Sequence, residues 1–170
     1  MYIPKQLWQG GKYLGDLEGF DVDFFRLLNS DKAIELRLDG RSDKSYYYIR
    51  ANMVFIGTKQ RVYESDWIKK AVIYHEYGHA IDFQRWLNQT KECKDAIEQY
   101  GSMRDTIKAL TLIYGWGHDD DYFANPTARA TEYIAHAFEN AFIGNKQFKK
   151  LLPKIYDDMV DYIRQLKKMQ

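Results

Sequence analysis

IYHEYGHAID, Ile73 to Asp82, sets two of the chain's four histidines four positions apart, with a glutamate directly after the first. On a helix, residues i and i+4 share a face one turn apart, so His75 and His79 stack their imidazoles. Two ring nitrogens placed in this way can bind one Zn²⁺ at about 2.0–2.1 Å. Glu76 is rotated by about 100° from His75, so its carboxylate flanks such a metal without ligating it. From there it can take a proton from an attacking water and return it to a leaving amine. The competing reading is two hydrogen-bonded histidines on an ordinary amphipathic helix, because H-E-x-x-H also arises by chance. Val72, Ile73 and Tyr74 precede the motif and argue for a buried helix, where unpaired polar groups are costly. Gly78 and Ala80 flank His79, and such small residues let another backbone or a ligand come close.

Helical spacing extends on both sides of the motif, from Ser65 to Leu87, with Trp67, Ile68, Ala71 and Val72 before it and Phe83 and Trp86 after it. Ser65 or Asp66 suits an N-cap. Upstream, residues 1–20 are glycine-rich and read as irregular, and Asp21 to Leu28 is a short helix candidate. Ala33 to Leu38 alternates apolar and polar residues as a strand does, and a turn, DGRSD, follows. Tyr46 to Ile56 is rich in aromatic and β-branched residues, as expected of a strand or hairpin. Downstream, residues 92–100 and 102–114 read as helices broken near Gly101, and GWGHDDDYFANP reads as a loop. Thr127 to Ile143 is helical, with Ala130, Ile134, Ala137, Phe138 and Phe142 along one side. Pro153, a residue favoured at a first helical position, opens a last amphipathic helix carrying Ile155, Met159, Tyr162, Ile163 and Leu166. Early strands followed by about five helices predict an α+β fold.

A chain of 170 residues without repeats or Pro/Gly-rich linkers fits one domain. Its 25 basic and 24 acidic residues nearly cancel, which argues against a nucleic-acid surface or a polybasic membrane anchor. The N-terminus lacks a basic segment followed by an apolar run, so no signal peptide is expected. No segment approaches the ~20 apolar residues of a membrane span. A cytoplasmic protein and a domain of a larger delivered or virion protein both fit. The lone Cys93 rules out an intramolecular disulfide and a cysteine-based zinc site, and its charged surroundings, KECKD, predict a surface or half-buried thiol.

A catalytic zinc usually takes a third protein ligand and leaves a fourth position to water. The candidates are Asp82, His118, Asp119 to Asp121, Glu132, His136 and Glu139. Asp82 shares the histidine face, but its short carboxylate falls beyond the metal, which favours a supporting role. His118 and the aspartates sit in a loop, where solvation is the default. Glu132 lies in ATEYIAHAFENAF, on a helix with an apolar side, and glutamates seldom face a core without a partner. His136 follows one turn later and can hydrogen-bond a ligand. The plain alternative for this pair is a solvated helix face.

HEYGHAID, then EYIAHAF some fifty residues on, then a proline and the terminal helix LPKIYDDMVDYIRQL, resembles the anthrax lethal factor-like zinc metallopeptidase domains. Pro-Pro endopeptidases and the zinc peptidase domains of phage head-morphogenesis and polymorphic-toxin proteins are related to these. The resemblance covers roughly residues 46–170 and implies a zincin-like catalytic core there, behind an irregular part at 1–45. It implies Glu132 as the third zinc ligand, beside His75 and His79. Two positions depart from the family pattern. A second acid is usual one turn after the ligand glutamate, where this chain has His136. A tyrosine that supports the oxyanion is usual where this chain has Asn125, and Tyr122, three residues earlier, is the candidate for that role.

The resemblance thus implies a zinc-dependent endopeptidase, with Glu76 as general base and an extended peptide substrate along a sheet edge within Tyr46 to Gly57. Two other readings stay open. One is a zincin-fold structural or binding module of a phage or toxin assembly. The other is a regulatory site-specific protease of a mobile element.

Overall fold

The computed structural model describes residues 35–39, 41–42, 44–57, 59, 66–91, 93–95, 122 and 124–168. At 35–36, 38, 66–70, 129 and 166–167 it describes the backbone alone. Several expectations lie outside these residues: the glycine-rich start, the helix at Asp21 to Leu28, the Ser65 cap, the helix at 102–114 and most of that at 92–100. His118 and Asp119 to Asp121 also lie outside, as do the side chains of Trp67, Ile68 and Leu166.

Among the described residues, three strands form one sheet in the order β1-β3-β2, with β1 at Glu35–Asp39, β2 at Tyr46–Tyr48 and β3 at Met53–Gly57. The aromatic segment is therefore a hairpin: β2 runs antiparallel to β3, with Tyr46 opposite Phe55. Asn52 completes the turn at φ 51°, a left-handed conformation that asparagine tolerates better than most residues. β1 runs parallel to β3, with Glu35 opposite Met53, so these five residues of the N-terminal part belong to the same sheet as the hairpin. Side chains alternate across β3. Val54 and Ile56 are fully buried, while Phe55 points to the other face and stacks on Tyr46 with ring centroids 5.0 Å apart.

α1, Asp66–Arg85, carries the whole H-E-x-x-H segment. It ends where Trp86 turns left-handed, at φ 55°, into a 3-10 turn at Leu87–Gln89. α2, Pro126–Phe142, begins where the sequence signals it. Asn125 accepts from the Thr127 and Ala128 amides, and Pro126 takes the first helical position. α3, Lys146–Leu151, is capped by Asn145, and α4, Pro153–Lys168, completes the chain as described. α3 escaped the sequence reading because six residues with one buried side chain, Phe148, carry no periodicity.

α1 packs on α2, and α4 packs on α2 and α3. Tyr74, Tyr77, Phe138 and Ile73 fill the core between them. Full burial of such a side chain contributes about 1.5–3 kcal/mol. Gly78 sets how close the two main helices come, since a Cβ there would lie 2.7 Å from the Ala135 Cα. The hairpin is tied to α1 through Asn52 Oδ1, which accepts from Tyr47 Oη at 2.8 Å and Gln84 Nε2 at 3.0 Å. Cys93 departs from expectation, because it is buried and part of the core cluster. Thr90 Oγ1 accepts from its amide at 3.2 Å and starts a turn that points the thiol inward, leaving Lys94 and Asp95 outside. Among the described residues, no helix is long and apolar enough to cross a membrane.

Candidate metal centre

α1 and α2 each contribute one stripe of polar residues to their shared interface. On α1 the i, i+4 spacing brings the His75 and His79 rings to 4.8 Å, edge to face. On α2, Glu132, His136 and Glu139 follow at i, i+4 and i+7, so all three face α1. The two oxygens of Glu132 divide between the histidines. Oε2 lies 3.3 Å from His75 Nε2, and Oε1 lies 3.3 Å from His79 Nε2. Glu132 is almost wholly buried, while the two histidines are half-buried.

Tyr122 closes the group. Its hydroxyl donates to Glu132 Oε1 at 3.0 Å. Burial, then the charge of Glu132 and its hydrogen bond, and then the charge of Glu76 hold the phenol above its ordinary pKa. The hydroxyl therefore keeps its proton, which it gives to Glu132. Glu76 itself is buried beside the cluster, on the turn of α1 that carries His75. Asn125, at the position where the resemblance would set a tyrosine, is occupied in capping α2.

Beyond these residues, Glu139 Oε2 lies 3.1 Å from His75 Nδ1. Each nitrogen of that ring thus faces a carboxylate. Burial works against the imidazolium, but hydrogen bonds and charges from Glu132 and Glu139 outweigh it and raise the His75 pKa well above the usual value. For Glu139, burial alone would raise the carboxyl. Its close contacts with His136 and His75 outweigh this and keep it below the usual range. Burial first, and then the charge of His75, lower the His136 pKa against the opposing pull of Glu139 and Glu132. Its Nδ1 sits 3.3 Å from Glu139 Oε2 without making a hydrogen bond, a rare condition for a buried polar atom.

Asp82 is no part of this group. Its oxygens accept from the Asn88 amide and from Asn88 Nδ2, both at 2.7 Å, and so fasten the 3-10 turn to the end of α1. Burial raises its carboxyl pKa, against the hydrogen bonds from Asn88 and the charge of His79. The supporting role expected for Asp82 is therefore one of holding the helix end.

Ligand-capable atoms of His75, His79 and Glu132 lie within 4.8 Å of one another. Two nitrogens and a carboxylate brought together by two packed helices fit a divalent cation that keeps a position free for an exchangeable ligand. The burial fits as well, because a carboxylate removed from water needs a cationic or hydrogen-bonding partner. Sequence reasoning named these three, and the tertiary structure brings Tyr122 to them. It missed the contact between Glu139 and His75, for which the signal was the i+7 spacing from Glu132 on the same face. Asn88 as the partner of Asp82 had no local signal.

No protein-family profile, curated protein or solved structure matches this chain.

Proposed function

We propose that this chain is a zinc-dependent endopeptidase of the lethal-factor-like kind, with a zincin-like core. One observation carries the reading: His75, His79 and Glu132 converge from two packed helices on one point, with Glu76 on the same turn and the Tyr122 hydroxyl on Glu132. His75 Nε2, His79 Nε2 and Glu132 would hold the cation. A bound zinc supplies Lewis acidity, which lowers the pKa of a water and polarises a carbonyl.

The chain's own residues account for the remaining chemistry. Glu76 takes the proton of the attacking water and delivers it to the leaving amine, so one carboxylate serves as base and then acid. Tyr122, whose one hydroxyl proton goes to Glu132 Oε1 in this structure, would release that carboxylate to the cation and turn the same proton to the oxyanion as the carbonyl becomes tetrahedral. Because β3 is central, β2 is the edge on the hairpin side among the described residues, and it also packs on α1. An extended substrate would pair with Tyr46–Tyr48 by strand addition. Pairing there leaves alternate residues of the substrate facing α1.

Glu76→Gln tests the reading. The variant should bind one zinc per chain and lose at least about a hundredfold in cleavage of a peptide library, in line with loss of a general base. A chelator should abolish cleavage by the parent protein. If Glu76→Gln binds zinc and cleaves as the parent does, the mechanism is wrong. Zinc binding with no cleavage by either protein would favour a binding module of a phage or toxin assembly. Cleavage confined to one regulatory partner would favour the mobile-element protease.

A further inference from the structure

Glu139 is a buried carboxylate that the mechanism above leaves without a task. It is 3% exposed, and its Oε2 lies 3.1 Å from His75 Nδ1. A carboxylate can only accept, so Nδ1 carries the proton and donates it. Nε2 faces Glu132 Oε2 at 3.3 Å, and were a cation to take the place of the proton between them, the ring would keep its proton on Nδ1 and offer the Nε2 lone pair. His136 flanks the same contact. Its ring lies 4.5 Å from that of His75, and its Nδ1 is 3.3 Å from the same Glu139 oxygen.

We propose that Glu139 is the positioning residue that fixes the orientation and tautomer of His75 for cation binding. This rests on the metal-centre reading above. His75, His136 and Glu139 also lie within 4.8 Å of one another and have the composition of a second cation site. Chemistry argues against that use. With Nε2 of His75 serving the first site, a second ion on Nδ1 would require an imidazole stripped of both protons. His136 and Glu139 are also buried, unlike the half-open histidine pair.

The test is zinc titration against a chromogenic chelator, together with proton NMR of the zinc-loaded protein, for the parent, Glu139→Gln, Glu139→Asp and the double variant His136→Glu/Glu139→Gln. The parent should bind one zinc and show a downfield Nδ1–H resonance from His75. Glu139→Gln, whose neutral carbonyl is a weaker acceptor, should keep that stoichiometry, lose about 10–100-fold in zinc affinity and move the resonance upfield. Glu139→Asp, whose carboxylate is withdrawn by one methylene, should fall between them, and it carries the test if the glutamine variant does not fold. In the double variant a carboxylate at position 136 faces the same ring and should recover affinity. Parent-like affinity and an unchanged resonance in both single variants overturn the proposal. So does a parent that binds two zinc ions and drops to one in Glu139→Gln, because the residues are then ligands. A parent that binds no zinc removes the metal-centre reading itself, an outcome distinct from the others.

Discussion

Tyr122 donates its hydroxyl to Glu132 Oε1, the carboxylate oxygen that also lies 3.3 Å from His79 Nε2. A residue ahead of α2 is thereby held against the Glu132 carboxylate. Tyr122→Phe removes the donor and keeps the ring. Peptide turnover should fall about 10²–10³-fold, the usual cost of losing one oxyanion donor, with zinc stoichiometry unchanged. Steady-state kinetics and metal analysis on the same preparation decide it. Turnover equal to the parent's would leave Tyr122 as a packing residue.

Gly78→Ala should disturb both stability and the site. A Cβ at position 78 meets the backbone of Ala135 at 2.7 Å, and backbone cannot swing aside as a side chain can. α1 and α2 must separate, which moves His79 away from Glu132. Overpacking of this kind costs about 1–3 kcal/mol. Denaturant midpoints should fall and zinc affinity should weaken together. A variant with unchanged midpoint would show that the helices adjust without strain.

Asp82→Ala should destabilise the fold without removing a ligand. It strands the amide and the side-chain nitrogen of Asn88 in a site where Asp82 is 1% exposed. An unsatisfied buried group costs about 1–3 kcal/mol. Thermal unfolding should shift down while the number of bound zinc ions stays at one. Loss of zinc at temperatures where the variant remains folded would instead assign Asp82 to the metal centre.

Cys93 should be slow to react in the native protein. Burial first, and then the charge of Asp82, push its thiol up to about 12, against a smaller opposing effect of Lys94. At pH 8 the thiolate population is then about a thousandfold below that of an ordinary thiol, which lies near 9.0. The sign for stability follows. The folded state holds the thiol proton more tightly than the unfolded state, so this contribution is complete below pH 9.0 and is lost as pH rises toward about 12. Alkylation rates in native buffer and in denaturant measure the difference. Equal rates would place the thiol at the surface.

Cation removal gives a further prediction. An ion that binds only the folded state adds about 4 kcal/mol when its concentration is a thousand times its dissociation constant. Zinc should raise the unfolding midpoint of the parent and leave that of Glu132→Ala where it is. Equal shifts in both proteins would exclude Glu132 as a ligand.

The sequence by itself determined the local features. Helical spacing marks α1 and α2, Asn125-Pro126 and Pro153 mark helix starts, and the i, i+4 histidines must share a face wherever that helix lies. Cap chemistry and the 3.6-residue period act over a few residues, so they can be read without the fold. Only the tertiary structure decided which groups meet across helices. Glu132 reaches both histidines because Gly78 lets α2 approach α1 at Ala135. Tyr122 rather than Asn125 faces the cluster because Asn125 is held by the first turn of α2. Glu139 finds His75 across a separation of 64 residues, and Cys93 turns inward although its neighbours are charged. These contacts depend on the distance and rotation between packed elements, and those are set by the whole core.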